Sequence, residues 1–323
     1  MINLVTSFKH ILKNKKGKIF FAIVFLSSIL FLGACSSLSA VKTVPNYEQP
    51  YSLPSSPSIP EPIAILSSSG VSISTEEPTI DTTHIADGYI IAAANSTRRL
   101  KFQVSCGDMS YNYDLQSDGT PIVVPVNMGS GTYTLKLLQN IQDSDYTEIA
   151  EKTENVILKD EFAPFLIPNM FCNYNEDSAC CEKAREIASG ATTRAEALAS
   201  ICNWVADNIE YDYAKAQELS ASTGYVPSPD ETLLTGRGVC FDYASLCTAM
   251  LRSIGIPAKM ITGYVGTNHI YHAWVMVYVD GTWKTERFSV DANTWSRCDV
   301  TLAAAGETAY IGDGSFYTDR YVY

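Results

Sequence analysis

Histidine is scarce in this chain. There are four in 323 residues, and His10 lies in the N-terminal leader, so His84, His269 and His272 are the only imidazoles beyond it. No two cysteines stand in C-x-x-C spacing, which removes the usual zinc and dithiol signatures. Basic residues are also few: 23 Lys and Arg against 35 Asp and Glu, a net charge of −12. Phosphate contacts need cationic side chains, so no nucleic acid is expected as a partner. The longest apolar run, Ile19 to Ala34, falls short of the roughly 20 residues that a spanning helix requires.

What precedes and follows that run gives it a meaning. Five lysines and no acidic residue come before it, and "LGAC", Leu32 to Cys35, closes it. This resembles a bacterial lipobox, in which a cysteine is lipidated after the leader is cleaved. The reading implies a signal peptide over 1–34, lipid attachment at Cys35 and a place on the extracellular face of the bacterial cell membrane. An uncleaved anchor would leave the chain on the same side. Removing the leader takes its five lysines, leaving 18 basic against 35 acidic residues. An acidic surface of that kind is held off an anionic membrane.

The other cysteines carry no single signal. Cys106, Cys172, Cys180, Cys181, Cys202, Cys247 and Cys298 are odd in number and cannot all pair. One bridge among Cys172, Cys180 and Cys181 and a set of buried thiols are both open readings.

Composition divides the chain. Residues 35–83 hold seven of the fourteen prolines among many serines, the texture of a semi-extended linker. Over 84–170, short segments such as "LKFQVSC", "YNYDL" and "GTYTLKLLQNI" alternate and are separated by turns such as "SDGTP". They predict a small antiparallel β-sandwich without chemistry of its own. Over 171–323 the period becomes helical. Thr193 and Glu196 form a capping box ahead of an apolar stripe at Ala197, Ile201, Val205 and Ile209.

The candidate site begins at "GRGVCFDYASLC", Gly236 to Cys247. Glycines break the chain and a helix follows, so Cys240 is expected at its N-terminal end. Free N–H groups and the helix dipole there favour a thiolate. Cys247 lies two turns later, too far for a disulfide to Cys240, and reads as core. A thiolate nucleophile needs an imidazole. His272 opens "HAWVMVYVDGTW", whose alternation and Asp280–Gly281 turn predict a hairpin, whereas His269 falls in a loop. Asp291, in "FSVDANTW", is the expected carboxylate partner of His272, with Asp280 a weaker candidate.

These three stretches, in this order, resemble the bacterial transglutaminase-like superfamily, relatives of papain-type thiol enzymes. The likeness runs from about Ala191 to Trp295. It implies an α+β domain with the cysteine-bearing helix packed on an antiparallel sheet and a Cys240–His272–Asp291 triad. It implies no cofactor, an acyl-enzyme, and a peptide, protein or cell-wall amide as substrate; the family does not decide the acceptor, and hydrolysis is favoured over cross-linking because water is always present. The rival expectation is a non-catalytic surface-binding or scaffold lipoprotein.

Overall fold

A computed structural model describes residues 50–63, 77–307 and 314–323. The leader and Cys35 lie outside the described residues.

Seven strands build the N-terminal unit: β1 (Thr79–Asp81), β2 (Tyr89–Ala93), β3 (Leu100–Cys106), β4 (Met109–Leu115), β5 (Ile122–Pro125), β6 (Gly131–Gln142) and β7 (Asp145–Val156). They form two antiparallel sheets, ordered β1-β2-β5 and β4-β3-β6-β7. Period-two alternation sends Leu100, Phe102 and Val104 of β3 and Tyr111, Tyr113 and Leu115 of β4 inward. They share one core with Ile90, Ala92, Ile122 and Val124 of the smaller sheet.

Strand β2 is buried on both faces. Its second face, Tyr89 and Ile91, is covered by Ile63 and Ile167. Ile63 belongs to the segment expected to be a free linker, and Tyr51, Leu53 and Ile59 of the same segment pack on the second core. Residues 50–63 are therefore seated on the folded part, because scattered apolar side chains find unfilled faces there. β1 likewise carries the first unit a few residues back into the Pro/Ser-rich stretch.

The second unit begins with α1 (Ala179–Ala188) and α2 (Arg194–Asn208), the latter started by the Thr193–Glu196 capping box. Then come β8 (Glu210–Tyr211), α3 (Tyr213–Leu219), α4 (Pro229–Thr235), β9 (Arg237–Gly238) and α5 (Cys240–Ser253). After α5 lie β10 (Ala258–Val265), β11 (Ile270–Val277), β12 (Trp283–Lys284), β13 (Ser289–Val290), β14 (Ser296–Cys298), α6 (Val300–Ala304) and β15 (Tyr317–Val322).

The antiparallel sheet is ordered β14-β11-β10-β15. Helix α5 lies across it and is buried from Asp242 to Ser253. Its neighbours surround it, so the polar side chains it carries must find partners inside the protein. Near its end Arg252 donates to the carbonyls of Ile167, Ala258 and Tyr323, tying the inter-unit segment and the last strand to the helix. A buried guanidinium tolerates this position because its donors are met by carbonyls.

The expected hairpin across Asp280–Gly281 does not form. β11 pairs with β10 and β14, whereas β12 pairs only with β13. Asp280 instead pairs with Arg194 at 3.1 Å. The Asp-Gly dipeptide marks the end of β11, and the partner strand comes from farther along the chain. The eight described cysteines are free thiols, including Cys172, Cys180 and Cys181.

Candidate active site

Cys240 is the first residue of α5 and is half-buried. Three constraints fix it there. β8 and β9 form a short parallel pair that sets Tyr211 opposite Gly238. Tyr243, one turn into the helix, donates its hydroxyl to the Ile209 carbonyl. Asp242 reaches back to accept from the Val239 N–H at 2.8 Å, satisfying one of the donors left open at a helix start.

Asp242 is fully buried and also accepts from the Tyr225 hydroxyl and pairs with Lys215 Nζ at 2.9 Å. Gly238 makes room for it: a Cβ on Gly238 would lie 2.5 Å from the Asp242 Cβ. The glycine before the cysteine is thus required for close approach rather than for a positive φ.

His272 lies on β11 opposite Gly263 of β10. Its Nε2 is 2.8 Å from Asp299 Oδ2, and both side chains are fully buried. The Cys240 sulfur also interacts with the ring. Burial disfavours the charged imidazolium, but the Asp299 carboxylate and the Cys240 sulfur outweigh it, and the His272 pKa is pushed up to about 10.

Asp299 is placed by a strand end. β14 pairs with β11 only over Val275–Val277, opposite Cys298–Ser296. The next residue leaves the ladder as the N-cap of α6, where Asp299 Oδ1 accepts from the Leu302 N–H at 2.9 Å. Its Oδ2 accepts from His272 and also from the Tyr317 hydroxyl at 2.8 Å. Tyr317 is held by the Arg297 guanidinium at 4.0 Å and by the Trp274 ring.

The expected partner Asp291 is elsewhere. Its carboxylate is exposed and pairs with Lys284 Nζ at 2.8 Å, across the small β12–β13 ribbon. Asp291 is the first aspartate after "HAWVMVYVDGTW", and Asp299 lies eight residues beyond it. The signal for Asp299 was present as an N-cap in "CDVTL". Tyr225, Tyr317 and Asp242 were also missed as site neighbours. Of these, only Asp242 had a local cue, an acid three residues past a helix cap. His269 sits in the loop between β10 and β11 with φ 50° and hydrogen-bonds locally to Thr267.

Cys240 and His272 open onto a cavity of about 850 Å³. Tyr211, Tyr225, Phe241, Tyr264, Tyr271 and Tyr323 give it an aromatic wall, and Asn112 and Asp114 of the N-terminal unit close one side. It is of the size and character of a substrate cleft. Burial holds the Tyr211 phenol well above its usual pKa, with the neighbouring Cys240 adding to the effect. A thiol at a helix start, a buried imidazole beside it and a carboxylate behind the imidazole compose the arrangement needed for nucleophilic acyl chemistry.

Residues 182–299 match the model of the transglutaminase-like superfamily. The match ends on Asp299. An archaeal protein of the UPF0252 family from Methanocaldococcus jannaschii is 36% identical over 94 residues, 27% of each chain. The kyphoscoliosis peptidase of Homo sapiens is 30% identical over 112 residues, 32% of this chain and 16% of that one. The chain thus spans about a quarter or less of the length of these relatives. Among solved structures, red sea bream transglutaminase aligns with a TM-score of 0.32, at 13% identity over 71% of this chain and 49% of that one.

Proposed function

We propose that this protein is a thiol enzyme that hydrolyses amide bonds in peptides or proteins through Cys240, His272 and Asp299. The observation that carries the reading is His272, buried between the Asp299 carboxylate and the Cys240 sulfur at the wall of an open cleft. The Cys240 thiolate attacks the amide carbonyl and forms the C–S bond. His272, as imidazolium, gives its proton to the departing amine nitrogen as the C–N bond breaks. Water then adds to the thioester with His272 taking its proton, and the carboxylate leaves as the C–S bond breaks. The Cys240 backbone N–H, free at the helix start, is a donor for the oxyanion. Asp299 keeps the ring oriented and its charge matched.

Hydrolysis is favoured over amine transfer because water is always present and no cavity wall reads as an amine pocket. The name of the human relative, a peptidase, agrees with this. The N-terminal sheets, which we read as a β-sandwich, serve as the second wall of the cleft. The leader and Cys35 support tethering to the outer face of a bacterial membrane.

The decisive experiment follows casein cleavage and fluorescent-amine incorporation together, with wild type and Cys240→Ala. Cleavage by wild type alone supports hydrolysis, and amine incorporation without cleavage would replace it with transamidation. Neither activity, with Cys240 alkylating no faster than the other thiols, would leave the scaffold reading. For the tether, Cys35→Ser should release the protein from membranes or leave it unprocessed; undisturbed mature protein in the membrane fraction would refute lipidation.

A further inference from the structure

The cleft does not stop at the transglutaminase-like domain. A second cavity of about 940 Å³ lies over β3 and β4 and shares Asn112, Asp114, Thr223 and Gly224 with the cavity at Cys240. The two therefore share a border at Asn112, Asp114, Thr223 and Gly224, and the outer face of the N-terminal sheet adjoins the cavity that holds the nucleophile.

The chemistry of that face is specific. Its cations are already engaged: Lys101 pairs with Asp114 at 3.3 Å, and Arg99 donates to the Asp143 carbonyl at 2.6 Å. An anionic ligand would have to break those contacts. Gln103 and Asn112 are directly opposed across β3 and β4, and their side-chain amides share one hydrogen bond of 3.1 Å. Whichever way the two amides are turned, the pair still presents a free donor and a free acceptor. A peptide group offers the complementary acceptor and donor.

We propose that the outer face of β3 and β4 is a binding subsite for an extended, uncharged polypeptide segment of the substrate, recognised through its backbone amides by Gln103 and Asn112. This rests on the thiol-enzyme reading and extends it: the N-terminal unit selects long substrates over short ones. An extended chain advances about 3.3 Å per residue, so a peptide of about eight residues reaches roughly 26 Å from the reacting carbon.

The test uses Cys240 alkylation and so needs no knowledge of the cleaved sequence. Neutral Gln/Ala/Gly peptides of two, four, six and eight residues, carrying an iodoacetyl group at either end, are compared with iodoacetamide. The expected second-order rate constant for Cys240 rises at least tenfold from two residues to eight in one of the two orientations. The Gln103→Ala/Asn112→Ala double variant should flatten the series once each rate is divided by the iodoacetamide rate of the same protein, a ratio that removes any change at the thiol itself. A flat series in wild type, or a rise that survives the double variant, overturns the subsite while rapid iodoacetamide labelling leaves the enzyme reading standing. Slow iodoacetamide labelling of wild-type Cys240 overturns both.

Discussion

His272 Nε2 and Asp299 Oδ2 lie 2.8 Å apart with no solvent access to either side chain. The Asp299 carboxylate receives His272, the Tyr317 hydroxyl and the Leu302 N–H, so its buried oxygens are hydrogen-bonded by the protein itself. Most of the expected behaviour of the site follows from that pair.

Asp299→Asn should lower kcat/KM by on the order of 10² to 10⁴-fold, since the amide neither matches the imidazolium charge nor holds the same tautomer. Asp291→Asn removes only an exposed pair with Lys284 and should stay within about twofold. Steady-state kinetics on the two variants decides between them; a larger loss at Asp291 would reverse the assignment.

The imidazolium sets the alkaline limit. His272 is raised above its ordinary value, so the interaction stabilises the fold fully below about pH 6.5 and is lost as pH climbs through about 10. Hydrolysis should fall over the same upper window, because the deprotonated ring has no proton for the departing amine. In Asp299→Asn the alkaline limb should move down towards neutrality, as the carboxylate is the larger of the two charges raising it. A pH–rate profile whose upper limb is unmoved by that substitution would contradict the coupling.

His272→Ala should slow alkylation of Cys240 by iodoacetamide at neutral pH, since the thiolate loses its cationic neighbour. Stopped-time mass spectrometry of the labelled cysteine measures it, and unaltered reactivity would separate the two side chains functionally.

Asp242→Ala should destabilise the fold by about 1–3 kcal/mol, the usual cost of leaving hydrogen-bonding groups without their partner, since Lys215 and Tyr225 are only half-buried. Lys215 and Tyr225 lose their acceptor and the Val239 N–H its cap. Urea unfolding reports it; a change below 1 kcal/mol would mean the network relaxes onto water.

Two glycines provide a matched comparison. A Cβ on Gly263 would stand 2.1 Å from the Thr318 carbonyl oxygen and 2.8 Å from the Trp274 ring, beside the bulge where β10 and β15 shift register. Gly263→Ala should cost at least about 1–3 kcal/mol by overpacking. Gly190 has open space around it, and Gly190→Ala should stay within about 0.5 kcal/mol. Equal effects in denaturant melts would show that the close approach is not real.

Some of this was legible without coordinates because it is written in neighbouring residues. The start of α2 follows from Thr193 and Glu196, and the strands of the first unit from alternation and turns. Cys240 at the head of a helix follows from the glycines before it and the apolar spacing after it. The seat of Ile63 on the sheet is not legible, because the apolar residues of "IPEPIAIL" fall among prolines without a period of two or 3.6. An Asp-Gly turn names a bend and not the strand that fills the place beyond it, so Trp283 pairs with Val290 in the β12–β13 ribbon rather than with β11.

The sequence by itself determined a cysteine at a helix start, an imidazole on a strand and a chain of two textures, since each depends on contacts within a few residues. Only the tertiary structure decided that Asp299 rather than Asp291 faces His272, that Tyr317 from the last strand shares that carboxylate, and that the first unit walls the cleft. Those choices depend on where a strand leaves its ladder and on which side chains are shut away from water, and neither is encoded in local spacing.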